Sequence, residues 1–165
     1  MIDTNGYRLN VGIVLCNLNG DLLWAKRCGQ DAWQFPQGGI RAQETLKEAL
    51  YRELWEEIGL LPEQVHILAE SQTWISYDLP KHLIRSDSKP VCIGQKQRWF
   101  LLSFLGDDPQ IRLDSFEQPE FDDWRWVDFW HPLNEVVPFK HHVYKTILKE
   151  FEPIALAHNI NSQKA

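Results

Sequence analysis

Residues 38–60 read GGIRAQETLKEALYRELWEEIGL. Within them, Leu46, Leu50, Leu54 and Ile58 fall at every fourth position, which draws one apolar stripe along a helix running from Thr45 to Ile58. Gly59 stands where a left-handed helix cap belongs. Another face of the same helix carries Glu53, Glu56 and Glu57. At about 100° per residue, Glu56 lies about 60° to one side of Glu53 and Glu57 about 40° to the other, so the carboxylates share a face. This is locally unfavourable. Like charges at such spacing cost roughly 0.2–0.5 kcal/mol per pair. Glu56 and Glu57 also meet the negative end of the helix dipole, which disfavours each by roughly 0.3–1 kcal/mol. A helix shaped only for folding would carry Lys or Arg there. Two readings are open: a solvated acidic face, the commoner case for glutamates taken alone, or a set of hard oxygen ligands for Mg²⁺ or Mn²⁺. No Cys–His cluster suggests zinc.

Outward from the helix, Arg8–Cys16 alternates with Val11, Ile13 and Leu15 on one face and reads as a strand. Asn19-Gly20 signals a tight turn into a hairpin partner, Leu22–Arg27. Trp33–Gly39 contains Pro36 and two glycines, so it reads as a strand end entering a loop. Val65–Tyr77 reads as one or two strands and Asp78–Gln95 as a long surface loop, a kind that is usually functional or disordered. Arg98–Leu105 is an apolar run suited to a buried strand, and Trp124–Val127 is a further short strand. Pro138–Glu150 reads as a second helix, with Val143, Ile147 and Phe151 as its buried stripe. This order predicts a mixed sheet with helices on its faces. Residues 1–153 form one expected domain, and 154–165 a weakly patterned tail expected to fray.

The 165 residues, 44% hydrophobic and 24% charged, suit one ordinary domain. A formal charge of −6 argues against a bulk nucleic-acid binder but leaves room for a local basic groove. The start has neither a basic segment nor an apolar run, so no signal peptide is expected, and no apolar stretch approaches the ~20 residues of a membrane helix. Cys16, Cys28 and Cys92 match no zinc or disulfide spacing and read as thiols in a reducing cytoplasm, the expected location. The eight tryptophans read mostly as core, with some available to stack on bases.

The pattern Gly38-x5-Glu44-x7-Arg52-Glu53-Leu54-x-Glu56-Glu57-x-Gly59-Leu60 resembles the Nudix box at every specified position. That resemblance implies an α/β fold, the α/β/α sandwich around a mixed sheet. The similarity spans about residues 1–153. The segments Trp33–Ile40, Lys89–Lys96, Pro119–Phe121 and Phe139-Lys140 look like the branch of bacterial RNA pyrophosphohydrolases, which also includes enzymes that split dinucleoside polyphosphates. Carried over, the resemblance makes Glu53, Glu56 and Glu57 metal ligands, with a backbone carbonyl near Gln37 or Gly38 completing the cluster. Glu44 and Arg52 would hold loop and helix in register, with Gly38 and Gly59 as structural positions of the box. Glu120 would be a further ligand or the catalytic base, and Glu53 is the other candidate base.

Such a site implies Mg²⁺, with Mn²⁺ or a similar ion able to substitute, and a water activated for in-line attack on a phosphoanhydride. The substrate implied first is a 5′-triphosphorylated RNA, cut to a 5′-monophosphate, a step that promotes mRNA decay. The alternative is a dinucleoside polyphosphate. A non-catalytic binding module would be expected to lack a metal glutamate, and none is missing. Candidate substrate contacts are Arg8, Arg27, Tyr77, Lys96, Arg98 and Lys140, since arginine can stack on a base as well as pair with phosphate. His82 and His141 stand where members of this branch often carry Arg. No membrane contact is expected.

Overall fold

A computed structural model describes the backbone of residues 1–164 and the side chains of residues 1–159. Strand β1 (Tyr7–Cys16) is the centre of a mixed sheet. Its hairpin partner β2 (Leu22–Arg27) leads to two short strands, β3 (Trp33–Gln34) and β4 (Gln37–Gly39), where the sequence read a strand end. Helix α1 (Leu46–Ile58) follows. Thr45 caps it: the Thr45 hydroxyl accepts from the Glu48 amide at 3.1 Å, and the Glu48 carboxylate accepts from the Thr45 amide at 3.2 Å. Gly59 closes it at φ 71°, the left-handed conformation expected there.

The segment read as one or two strands is two, β5 (Val65–Glu70) and β6 (Ile75–Asp78). Strand β7 (Gly94–Phe104) starts earlier than its apolar run. Gly94–Gln97 pairs in parallel with β1 on one edge and antiparallel with β6 on the other. The expected loop therefore shrinks to residues 79–93. The polar residues Gln95 and Gln97 interrupt the apolar pattern while keeping the strand. Strand β8 (Phe121–Val127) pairs antiparallel with β2, and a short helix, α2 (Pro132–Glu135), precedes α3 (His141–Lys164). The predicted Pro138 start is a 3₁₀ turn, Pro138–Lys140.

Helix α3 runs on through Pro153 to Lys164, where the sequence suggested a frayed tail; Ala165 lies outside the described residues. The buried stripe Val143, Ile147, Phe151 gains one more step at buried Ala155, while Pro153 faces outward. Continued packing of that stripe outweighs the interior proline.

Both faces of the sheet are covered. Val11, Ile13 and Leu15 pack with Leu50, Leu54 and Ile58 of α1, whereas Val14 and Cys16 pack with Val143, Tyr144, Ile147 and Phe151 of α3. This is an α/β/α sandwich. Phe35, Trp99 and Tyr144 form the aromatic centre of the α3 side, with ring centroids 4.8–5.9 Å apart. Among the described residues, no helix is long and apolar enough to cross a membrane.

Candidate active site

A cleft of about 390 Å³ opens where α1, β4 and the first residues of β1 and β7 meet the approach to β8 and the turn before α3. It receives Glu53, Glu56 and Glu57 from α1, Arg8 and Asn10 from β1, Gln37–Gly39 from β4, Gln95 from β7, Glu120 from the approach to β8, and Lys140 from the turn.

Arg52 organises the acidic side. Its Nε and Nη2 donate to the two oxygens of Glu44 at 2.7 and 2.8 Å, and Nη2 also donates to the Gly39 carbonyl at 2.7 Å. Its Nη1 donates to Glu53 at 2.7 Å and to Glu56 at 3.3 Å. The Arg52 guanidinium holds the Glu44 carboxyl down to about 2. The expected Glu44–Arg52 pairing is thus present, and it ties the loop to the helix. Gly38 is required by close approach: a Cβ there would lie 1.9 Å from Cδ of Glu53. The Glu53 carboxylate occupies the space that a side chain on β4 would fill.

Glu53 and Glu57 are only 6% and 8% exposed. Burial pushes the Glu53 carboxyl up against the opposing pull of Arg52. Burial, then the charges of Glu53 and Glu120, push Glu57 up more strongly. Glu57 Oε2 is buried with no hydrogen-bond partner among the described residues. An acceptor-only atom left unpaired beside other carboxylates suits a hard cation. Glu56 and Glu120, like Glu53, turn toward arginines: Glu56 lies 3.4 Å from Arg41 and 3.3 Å from Arg52, and Glu120 lies 3.5 Å from Arg27. Among the described residues, no group of three or more His, Cys, Asp or Glu side chains is arranged to enclose an ion. The donor set fits a divalent cation, while three of its four carboxylates, Glu53, Glu56 and Glu120, face arginines.

The opposite wall is cationic. Lys140 is 6% exposed; its Nζ donates to Gln34 at 3.3 Å and lies 5.6 Å from the centre of the Tyr77 ring. Among the described residues it makes no ion pair. Burial, then the charge of Arg27, bring its ammonium down to about 8. Arg27 reaches the cleft just past a register shift between Lys26 and Arg27, the kind of irregularity that re-aims a side chain, and lies 3.5 Å from Glu120.

Arg8, Arg27, Tyr77 and Lys140 therefore line the cleft with the four carboxylates, and Lys96 and Arg98 do not. The last two, expected as substrate contacts, lie outside this cleft. On β7, Gln95, Gln97 and Trp99 face the α3 side, so Lys96 and Arg98 face the α1 side with Phe100. There Arg98 pairs with Glu70 at 2.8 Å and Lys96 lies 3.9 Å from Asp3, both near the Trp74 ring. The sequence reading also missed Asn10, Gln34, Gln95, Phe116 and Gln118, and named Gln37 only as a possible source of a backbone carbonyl. Polar residues interrupting buried strands were the available signal for Asn10 and Gln95.

The NUDIX domain family matches residues 6–151 of the chain. A protein of Shewanella denitrificans named RNA pyrophosphohydrolase is 57% identical over 161 residues, covering 98% of this chain and 94% of its own length. A Haemophilus influenzae protein of the same name is 57% identical over 159 residues, 96% of this chain and 81% of its own. Among solved structures, the E. coli dihydroneopterin triphosphate pyrophosphohydrolase superposes with a TM-score of 0.69 at 20% identity, over 87% of this chain and 98% of that one. A C. elegans Ap4A hydrolase complex gives 0.64 at 16% identity, over 90% and 98%. At such identities the two structures share the fold with this chain.

Proposed function

The chain belongs to the Nudix family, and from that premise we propose that it is an RNA pyrophosphohydrolase, which releases pyrophosphate from a 5′-triphosphate end and leaves a 5′-monophosphate. The observation that carries this reading is the two-sided cleft: four carboxylates stand opposite a buried lysine that has no ion-pair partner among the described residues. A triphosphorylated RNA end offers a matching pair of features, phosphates for the cation-binding side and a nucleotide for the cationic wall. The relatives named RNA pyrophosphohydrolase support RNA as the substrate. A 5′-monophosphate product would make the RNA ready for decay in the cytoplasm.

Glu53, Glu56, Glu57 and Glu120 would hold divalent cations, Mg²⁺ or Mn²⁺ by the hardness of their oxygens. When bound, such cations neutralise phosphate oxygens and acidify a water. Glu53 or Glu120 takes the proton of the attacking water as its oxygen bonds to phosphorus and the α–β phosphoanhydride breaks. Arg8, Arg27 and Lys140 hold the phosphates and the first nucleotides, and Tyr77 forms the floor under Lys140.

The test is a side-by-side turnover assay with Mg²⁺ on a short 5′-triphosphorylated RNA with unpaired first nucleotides, a diadenosine polyphosphate and a nucleoside triphosphate. RNA should be converted fastest. Fast cleavage of the dinucleotide beside an inert RNA would overturn the substrate assignment and leave a nucleotide hydrolase. Chelation should abolish turnover on every substrate. Adding Mg²⁺ or Mn²⁺ to the chelated protein should raise its melting temperature, because an ion that binds only the folded state stabilises it. An unchanged melting temperature at millimolar metal would count against the cation site.

Lys140 sets a pH dependence. Its folded-state ammonium titrates near 8, below the ordinary lysine value, so its charge is present below pH 8 and lost above it. KM for RNA should therefore rise as pH passes about 8. In Lys140→Met, KM should be high throughout and the rise absent. A parental KM flat to pH 9.5 would remove Lys140 from the phosphate-binding set.

A further inference from the structure

Gln97 is fully buried on β7 and does not line the cleft, yet two residues that do line it hang on its side chain. In the parallel pairing of β1 with β7, Gln97 stands beside Asn10. Its Nε2 donates to Asn10 Oδ1 at 2.8 Å and to Gln37 Oε1 at 3.0 Å. A carboxamide nitrogen carries two hydrogens, so both are consumed. Gln97 Oε1 has no partner among the described residues, an unsatisfied buried oxygen that a network built only for stability would avoid.

We propose that Gln97 is a positioning residue, which turns the carboxamide NH₂ groups of Asn10 and Gln37 into the cleft as an uncharged donor floor for polyphosphate oxygens. Each of these amides gives its oxygen to Gln97, so its nitrogen projects away from Gln97. The floor adjoins the acidic face, because Gln37 precedes the glycine on which the Glu53 carboxylate rests. Ionised phosphate oxygens accept hydrogen bonds and do not donate them. Carbonyl oxygens in these two places would add to the repulsion from the carboxylates, whereas NH₂ groups attract the substrate without competing for the cation. The inference rests on the polyphosphate substrate proposed above and adds groups that bind its phosphates.

The experiment measures kcat and KM for 5′-triphosphorylated RNA, with melting temperatures, for the parent protein, Gln97→Met, Gln37→Met and the double variant. Methionine keeps the approximate shape of glutamine and removes its hydrogen bonds. Gln37→Met should raise KM about tenfold, the usual scale for losing a hydrogen bond to a charged group, with kcat within about threefold of the parent. Gln97→Met should raise KM at least as much, through atoms that no substrate touches. The double variant should raise KM by less than the product of the single effects, because Gln97 acts partly through Gln37. Unchanged KM in Gln37→Met, or independent multiplication in the double variant, would overturn the proposal. If Gln97→Met fails to fold, Gln97→Leu takes its place in the comparison, and the half-buried Gln37→Met still tests the donor floor. A parent that cleaves small polyphosphates but leaves RNA inert would refute the RNA assignment. The four-protein comparison, repeated on the cleaved polyphosphate, would still decide the donor floor.

Discussion

Glu53→Gln is expected to lower kcat by about 10²–10⁴-fold, the range for removing a general base, while the protein stays folded. The carboxylate is 6% exposed, rests on Gly38 and accepts from Arg52 at 2.7 Å. Glutamine matches its shape and can still accept from Arg52, so the packing against β4 persists. The charge is lost, and with it both the strong cation ligand and the proton acceptor. Because burial already pushes this carboxyl up, neutralising it relieves a desolvation penalty, and the melting temperature should hold or rise. Turnover within about threefold of the parent, in a protein with an unchanged melting temperature, would remove Glu53 from the chemistry. If Glu120 is the base instead, Glu120→Gln should match this loss at saturating metal while Glu53→Gln recovers part of its rate as metal is raised.

Arg52→Met is expected to be the most destabilising change around the site. The guanidinium serves Glu44, Glu53, Glu56 and the Gly39 carbonyl at once, with side-chain exposures of only 16% for Arg52, 12% for Glu44 and 8% for Glu53. Removing one partner of a buried ion pair costs about 3–5 kcal/mol, because the other charge remains buried. For a domain of this size that corresponds to roughly 6–20 °C in melting temperature. The pH dependence gives a second signature. Glu44 is held down to about 2 in the folded protein. A depressed carboxyl stabilises fully above its unfolded value and loses that contribution as pH falls through the folded one. Urea unfolding should therefore show a wide gap between parent and Arg52→Met at pH 7, narrowing as pH falls from the ordinary carboxylate range toward 2. A gap that is small at pH 7, or that does not narrow in acid, would show that the Arg52 network contributes little to folding.

The parts of this protein written locally were legible in the sequence. The α1 stripe, the Thr45 start, the Gly59 cap and the shared face of Glu53, Glu56 and Glu57 follow from 3.6 residues per turn and from caps that need only their immediate neighbours. The alternation of Val11, Ile13 and Leu15 gave the sheet in the same way, because strand periodicity is also a property of the chain itself. The box spacing gave the family, and Pro119-Glu120 pointed to the fourth carboxylate.

Other features depended on which segments pair and in what register. The pairing of β7 with β1 and β6 kept Gly94–Gln97 in a strand despite its polar residues. The same register set the parity that sends Gln95 and Gln97 toward the α3 side and takes Lys96 and Arg98 away from it, a distinction invisible in a list of basic residues. The burial of Lys140 required Tyr77 from β6 and Gln34 from β3 to meet the start of α3. The sequence by itself determined the helix, the box and its three glutamates, because their causes act within a few turns of the chain. Only the tertiary structure decided which cations face those glutamates and which amides line the floor between them, because a strand's facing and a side chain's burial are set by partners far away in sequence.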